Sequence, residues 1–128
     1  MAGTIVADDI QHSTAGSVGT EYVVNGSAKG WVNYNEPSSG SPSVQQSFNN
    51  SSLTDNGTGD QTVTYTNAFN YADYAYSFQH HRSGASDNNR RSYGQDISST
   101  TARVRHVYQF SSLSDIYDGM IISQGDLA

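Results

Sequence analysis

The sequence predicts an all-β fold: a small antiparallel β-sandwich or jelly-roll-like domain with an extended N-terminal arm, assembled as a trimer. Roughly six short segments alternate apolar with polar residues between clusters of Gly, Pro, Asn and Ser, which is the pattern of strands and turns. No segment has the periodicity of an amphipathic helix. Leu, Ile, Val and Phe together make up only 22 of the 128 residues. We therefore expect neighbouring chains to supply the buried surface that one chain lacks.

Residues 1–26 are predicted to form the extended N-terminal arm, and residues 27–128 the β-sandwich domain. The arm is rich in Gly, Ser and Thr and holds short apolar groups at Ile5-Val6 and at 22–24. These groups are too isolated to form a core of their own. We therefore expect the arm to lie against another surface.

The remainder of the chain is predicted to contain strands joined by polar loops. Residues 28–35 alternate, with Val32 and Tyr34 on one face and Trp31 on the other. Both prolines lie within 36–42, and because proline cannot donate to a strand ladder this segment is predicted to be a loop. Further strands are expected at 44–53, 61–66, 72–80, 100–110 and 119–123, and a polar loop at 82–89.

A tight hairpin turn is predicted at 55–60, which reads Asp-Asn-Gly-Thr-Gly-Asp. Its glycines readily adopt the positive φ values that such a turn requires. The two flanking carboxylates also suggest a calcium loop, but the segment lacks the ligand spacing of an EF-hand and its closing Glu. We therefore predict a plain turn without a bound metal.

Charge and cysteine content exclude several classes of protein. The formal net charge is −6 with only six Lys and Arg, so nucleic acid is not an expected partner, because neutralising phosphates needs clustered cations. No apolar run approaches the roughly 18 residues that would cross a bilayer, and no secretion signal is present. The chain has no cysteine, which excludes disulfides and thiolate metal sites.

Five residues are predicted to form an assembly interface. Trp31, the only tryptophan, is able to stack on a sugar ring, but strand tryptophans more often lie in a core or a subunit interface. Arg103 and Arg105 share a strand face, and we expect them to pair with carboxylates across a subunit boundary. Ile5 and Val6 of the arm complete the set.

A second group of residues is predicted to contact a receptor or a partner. His80 and His81 are adjacent, so within a strand they point to opposite faces and cannot chelate one ion. Solvated residues at a strand end are the more common arrangement, and receptor contact comes next. The predicted contact residues are His81, Arg82, Arg90, Arg91 and Tyr93.

The arginine pair of this group has two interpretations. Arg90 and Arg91 stand beside Tyr93, a combination suited to gripping an anionic glycan or the carboxylates of a partner. In an acidic chain they are equally suited to pairing with Asp87 or Asp96. The sequence leaves both interpretations open.

No catalytic constellation is recognisable, and we predict that the protein is not an enzyme and binds no cofactor. Carboxylate pairs occur at 8–9 and within 115–118, but nothing places them in a cleft as glycoside hydrolysis requires. The sequence contains no nucleophile elbow, P-loop or His-rich metal motif. An enzyme that depolymerises polysaccharide is disfavoured because it would need a longer scaffold.

Two segments carry a resemblance to a known family. Residues 28–35 read Ala-Lys-Gly-Trp-Val-Asn-Tyr-Asn, and residues 47–66 read Ser-Phe-Asn-Asn-Ser-Ser-Leu-Thr-Asp-Asn-Gly-Thr-Gly-Asp-Gln-Thr-Val-Thr-Tyr-Thr. The chain resembles the small β-modules that form the C-terminal end of phage tail-fibre proteins or occur as short free-standing virion proteins. The resemblance extends over residues 20–80.

This resemblance implies a structural protein of a bacteriophage virion, made in the cytoplasm of the host bacterium. The expected partners are further copies of the chain, other tail or capsid proteins, and a host surface glycan touched by the loops at 36–43 and 81–92. The alternative is a capsid decoration protein that clamps neighbouring capsid subunits. A tail fibre carries a long shaft before this module, which is not seen before residue 20, so an accessory tip or such a decoration protein is expected.

Overall fold

Two antiparallel β-sheets pack face to face in the structure, a computed structural model that describes residues 3, 5–37, 41–81, 90–108 and 112–127. The loop predicted at 82–89 lies outside the described residues. In chain order the elements are β1 (Asp9–His12), β2 (Gly16–Gly19), α1 (Thr20–Gly26), β3 (Ala28–Asn35), β4 (Ser43–Phe48), β5 (Asn50–Gly57), β6 (Asp60–Tyr65), β7 (Ala75–His81), β8 (Arg90–Gln95), β9 (Thr101–Tyr108), β10 (Ser112–Leu113) and β11 (Asp118–Gln124). The predicted all-β sandwich is confirmed.

Sheet I has four strands in the order β4-β3-β11-β7. Its β3 has the predicted bounds and the predicted alternation, with Val32 and Tyr34 buried and Trp31 on the opposite face. The neighbouring β11 alternates in the same way and buries Ile121. One face of the sheet therefore joins the core, and the other forms the surface of the domain.

Sheet II is built around β9. Its residues Thr101–Arg105 pair with β6, which in turn pairs with β5. Residues Arg103–Tyr108 pair with β8 on the opposite edge. The short β10 pairs with Val107 and Tyr108, so it continues the β6 side of β9 beyond the end of β6.

The core lies between the two sheets and divides into two parts. One part is apolar and aromatic, where the Phe69 ring stacks on Tyr74 at 4.1 Å and meets Tyr65 edge to face at 5.0 Å. The other part contains ionisable groups, among them the buried His106 and Glu36. The remaining buried apolar side chains are Val32, Tyr34, Val63, Ala102, Val104, Ile116 and Ile121.

The strand predicted at 44–53 is two strands in different sheets. The chain breaks at Asn49, which has a φ of 54° and so leaves the extended conformation. The Asn49 amide nitrogen donates to the Lys29 carbonyl at 2.9 Å, and its amide oxygen accepts from the Asn67 nitrogen at 2.7 Å. These bonds fix the crossing from β4 in sheet I to β5 in sheet II.

The hairpin turn predicted at 55–60 is present between β5 and β6. Gly57 and Gly59 have φ values of 118° and 61°, as the glycine positions of the sequence indicated. The Asp55 carboxylate accepts the Gly57 N–H at 2.8 Å, so it serves the turn itself.

The segment predicted to be an extended arm contains a hairpin of β1 with β2 and the seven-residue helix α1. The prediction that the chain has no helix is wrong at α1. This helix has no side-chain cap and buries no residue, so its apolar residues do not produce the periodicity that marks an amphipathic helix. Among the described residues, no helix is both long and apolar enough to cross a membrane.

Candidate functional site

An open groove runs along the edge where β7 of sheet I faces β8 of sheet II. It has a volume of about 490 Å³ and is lined by Phe78, Gln79, His80, Arg90, Arg91 and Ser92. Because β7 and β8 belong to different sheets, this edge gives access to the interior of the sandwich. Two of the predicted contact residues, Arg90 and Arg91, line the groove.

A hydrogen-bonded series of polar side chains leads from this groove into the core. The His80 Nδ1 lies 2.9 Å from the Ser92 hydroxyl, and that hydroxyl lies 2.7 Å from the His106 Nδ1. The His106 Nε2 lies 2.7 Å from the Tyr34 hydroxyl. Four side chains from β3, β7, β8 and β9 thus connect both sheets through hydrogen bonds.

Burial determines the protonation states of His106 and Tyr34 in this hydrogen-bonded series. Burial, with the nearby His80 and Arg90, lowers the pKa of His106 to about 3, so this imidazole is neutral near pH 7. Burial and the nearby Glu36 raise the pKa of the Tyr34 hydroxyl, so it keeps its proton. When this hydroxyl donates to Nε2, the neutral His106 donates from Nδ1 to Ser92 and Ser92 donates to His80; the other His106 tautomer reverses all three directions.

A second polar cluster lies beside Tyr34, at the inner end of this hydrogen-bonded series. The Glu36 carboxyl accepts N–H groups from Gly59 at 3.2 Å and Ile116 at 3.3 Å, and it also accepts from the Gln61 amide. Burial raises the pKa of Glu36 to about 8, and the nearby Asp115 carboxylate adds to this effect. At neutral pH Glu36 is therefore mainly protonated, which removes the cost of burying an uncompensated charge.

The arginines of the groove differ in their surroundings. The Arg90 guanidinium lies over the Tyr108 ring at 5.7 Å and donates to the Asp115 carbonyl oxygen. Arg91 is exposed. With the half-buried His80, the groove carries donors suited to a carboxylate or another anionic group. The Asp96 carboxylate, one of the acidic partners considered for the pair, contacts Arg103 instead, at 3.0 Å.

The other predicted contact residues do not gather in this groove. Tyr93 lies next to Ser92 in β8, so it points to the opposite face, where it is exposed beside Arg105. His81 is the last residue of β7. Arg82 lies outside the described residues. The structure thus brings together two of the five residues.

The predicted assembly residues lie on three separate surfaces. Ile5 and Val6 are 93% and 91% exposed. Trp31 lies on the outer face of sheet I, opposite Phe48 and Ile122 of the neighbouring strands. This placement excludes the core alternative for Trp31 within one chain.

Arg103 and Arg105 do not need a second subunit to find a carboxylate. Both donate to the buried Asp60 carboxylate of the same chain, each at a closest distance of 2.7 Å. The expectation that their partner lies across a subunit boundary is therefore corrected: it lies in the adjacent strand β6. Asp60, one of the two carboxylates that flank the predicted plain turn, is the centre of this ion cluster.

Sequence reasoning missed, as a set, the buried Tyr34, Glu36 and His106 and the half-buried Ser92. Their contacts join positions up to 72 residues apart in the chain, so no local motif marks them. One signal was present: the alternation of β9 placed His106 on the same face as the apolar Val104. An ionisable residue on a core face indicates a buried polar network.

Comparison of the chain with models of protein families, with curated proteins and with solved structures found no match. Within the described ranges, no group of three or more His, Cys, Asp or Glu side chains is arranged to hold a metal ion. The function therefore has to be argued from the surfaces and the buried groups of the chain itself.

Proposed function

We propose that this chain is a structural protein of a bacteriophage virion, of the tail-fibre type. In this proposal it associates with copies of itself as a trimer, attaches to other virion proteins and contacts the host surface. It performs no catalysis.

The observation that carries the proposal is the exposure of apolar side chains in the N-terminal segment. All described residues from Ile5 to Val18 are exposed, and in α1 Tyr22 remains 70% exposed. Apolar residues that a chain does not cover itself favour a docking surface on another molecule. The other exposed apolar residues of the segment are Val6, Ile10, Val23 and Val24.

The choice of a virion as the assembly is supported by the resemblance to phage tail-fibre modules. The resemblance is carried by residues 28–35 and 47–66, which form strand β3, the last two residues of β4 and the hairpin of β5 and β6. A sandwich with an uncovered N-terminal segment suits a repeated structural part.

Capsid decoration is the second candidate, and the same exposed segment favours it. A hairpin and a short helix with exposed apolar residues are suited to lying across neighbouring capsid subunits. The two candidates differ in copy number, since a tail part is present in a few dozen copies or fewer and a decoration protein in hundreds.

The test is to locate and count the protein in purified particles of the phage that encodes it. Quantitative mass spectrometry gives the copy number relative to the major capsid protein, and antibody-gold labelling gives the position. A label at the tail with low copy number supports the tail-fibre role, and hundreds of copies on the capsid support decoration. Protein found only in the lysate and never on particles would overturn both.

A further inference from the structure

The outer face of sheet I carries two ordered rows of side chains. Residues paired across neighbouring strands share a face, so the strand registers define each row. The first row, called the apolar row, is Phe48, Trp31, Ile122 and Ser77. The second, called the amide row, is Gln46, Asn33, Met120 and Gln79.

The two rows combine an aromatic surface with neutral hydrogen-bonding groups. Trp31 is half-buried on this face and Phe48 is 54% exposed, so both rings offer surface to a ligand. Each side-chain amide provides donors and an acceptor on one planar group. A sugar ring presents an apolar C–H face and a rim of hydroxyls that both donate and accept, which is the same combination.

The absence of charge within the rows restricts the ligand class. Neither row contains Asp, Glu, Lys or Arg, and the charged residues of the same face lie at its ends, Lys29 two residues before Trp31 and Asp118 two residues before Met120. The Asp118 carboxylate beside the amide row would repel an anionic ligand placed there. The rows therefore favour a neutral ligand over an acidic glycan.

A shallow depression lies at one end of the amide row. It has a volume of about 240 Å³ and is lined by Asn33, Gln79, His80, Asp118, Gly119 and Met120. Apart from Met120, the side chains of this lining are polar, so the depression offers several hydrogen-bonding groups within reach of a small ligand. Trp31 is not part of the lining, but it lies two residues before Asn33 on the same face of β3.

We propose that the outer face of sheet I binds a neutral oligosaccharide, with Trp31 beneath one sugar ring and with Asn33 and Gln79 bonded to hydroxyls of the adjoining sugar units. The inference rests on the proposed function for the source of that sugar, a component of the host surface. The sequence predicted that the loops and the arginine pair contact the receptor. This inference places the contact on the outer face of sheet I instead.

A second copy of the chain is the competing occupant of this face. The apolar row alone would suit it. However, a protein interface would also bury the amides of Gln46, Asn33 and Gln79, and each would need a partner because an unsatisfied buried amide destabilises the complex. The amides of a second copy could serve only where the two rows align, whereas an oligosaccharide carries donors and acceptors along its whole length, so the amide row favours the sugar.

Trp31 provides a direct reporter for the test, because it is the only tryptophan of the chain. The full-length protein is titrated with maltohexaose, cellohexaose, mannohexaose and chitohexaose, and with hexagalacturonate as the anionic comparison. We expect a saturable change in tryptophan emission with at least one neutral hexasaccharide and none with hexagalacturonate. Calorimetry with the responding sugar provides the affinity.

Two variants and one control assign the site. Asn33→Ala and Gln79→Ala each remove one amide and are expected to weaken binding by about fivefold, the loss of one net hydrogen bond. Gln95→Ala removes an amide from β8 of the other sheet and should leave the affinity unchanged. Thermal melting of each variant verifies that its fold is retained.

Three results would overturn the inference. One is no saturable response to any of the four neutral sugars at millimolar concentration. Another is full affinity in both Asn33→Ala and Gln79→Ala. The third is a tryptophan emission change on dilution of the protein alone, accompanied by dissociation, which would assign the face to a second copy. If sugar binding is found but the protein is absent from particles, the proposed function fails and this inference stands.

Discussion

At the scale of single residues, the pKa values of two buried carboxyl groups shift in opposite directions because their neighbours differ. Asp60 and Glu36 are each only 3% exposed. The hydrogen bonds from Arg103 and Arg105 lower the pKa of Asp60 to about 2, although burial opposes them. Among the described residues, no arginine lowers the pKa of Glu36 in this way, and burial raises it to about 8. Burial alone therefore does not determine the charge of a carboxyl group in this fold.

Asp60→Asn is expected to lower the free energy of unfolding by about 2 kcal/mol at pH 7, because two arginines lose a charged acceptor. The folded pKa of Asp60 lies below its unfolded value of 3.8, so this stabilisation is present above about pH 4 and is lost as the pH falls toward 2. The difference between variant and parent should shrink over that window. Denaturant unfolding at several pH values measures it.

Asp96→Asn is the matched control, since Asp96 contacts the same Arg103 from a position that is 63% exposed. Exposed ion pairs contribute little, so this variant should lose less than about 0.5 kcal/mol. Equal losses in Asp60→Asn and Asp96→Asn would contradict the central role given to Asp60.

Glu36→Gln tests the other carboxyl group. The unfolded chain releases this proton near pH 4.5 and the folded chain near pH 8, so the parent loses stability as the pH rises through this range. The variant lacks that loss. Its melting temperature relative to the parent should therefore rise from pH 5 to pH 8.

Comparing the two proteins at each pH cancels the contribution of His106. The lowered pKa of this histidine acts in the opposite direction, since its stabilisation is gained as the pH rises toward 6.5. A melting-temperature difference that stays constant from pH 5 to pH 8 would show that Glu36 is charged in the folded chain.

At the scale of elements, the turn between β5 and β6 depends on its second glycine more than on its first. A Cβ at Gly57 would meet nothing within 4 Å, whereas a Cβ at Gly59 would lie 2.6 Å from the Ser114 carbonyl oxygen and 2.8 Å from that of His106. Gly59 also donates its N–H to Asp115 at 2.8 Å. The turn is therefore packed against the chain on either side of β10.

We expect Gly59→Ala to destabilise the protein more than Gly57→Ala. Both substitutions place a side chain at positive φ, which costs roughly 1 to 3 kcal/mol, but only Gly59→Ala also forces backbone atoms apart. Thermal melting of the two variants provides the comparison. Equal melting temperatures, or a lower one for Gly57→Ala, would contradict the packing described for this turn.

Residue alternation and turn-forming residues predicted the regular strands and the hairpin turn. They did not predict the elements whose conformation depends on contacts between distant parts of the sequence. Strand β3 and the glycine turn were predicted from local pattern, because a half-buried strand alternates and glycine adopts positive φ. Strand β8 was missed since Arg90–Gln95 has no apolar alternation, and it is held by pairing with β9. The break at Asn49 depends on bonds to Lys29 and Asn67, which the sequence does not reveal.

At the scale of the whole molecule, the domain combines a core of limited apolar content with exposed apolar surface. Three of the ten buried apolar residues in the described ranges are tyrosines, and polar groups fill the other part of the interior. We predict that association supplies part of the stability of such a chain, because binding that favours the folded state stabilises it. Exposed apolar residues occur both in the N-terminal segment and in β4, at Val44 and Phe48.

The isolated protein is therefore expected to be a trimer, with three times the 13.8 kDa mass of one chain. Light scattering at micromolar concentration measures this mass directly. The mass of a single chain under those conditions would contradict the prediction, and a dimer would contradict its symmetry.

The last prediction concerns the N-terminal segment, for which the two possible docking surfaces lead to opposite results. Deletion of residues 1–20 removes β1, β2 and the exposed Ile5, Val6 and Ile10 but leaves every buried core residue in place. If the segment binds the particle, the truncated protein should keep its melting temperature and oligomeric mass and fail to enter virions. If it braces sister subunits, the same deletion should lower the melting temperature and release monomer.

We favour particle attachment, because the described core lies wholly within 32–121 and the resemblance to the phage module begins at residue 20. Mass spectrometry of particles grown with the truncated gene, beside light scattering of the purified protein, separates the two. Truncated protein present in virions at normal copy number would refute this choice.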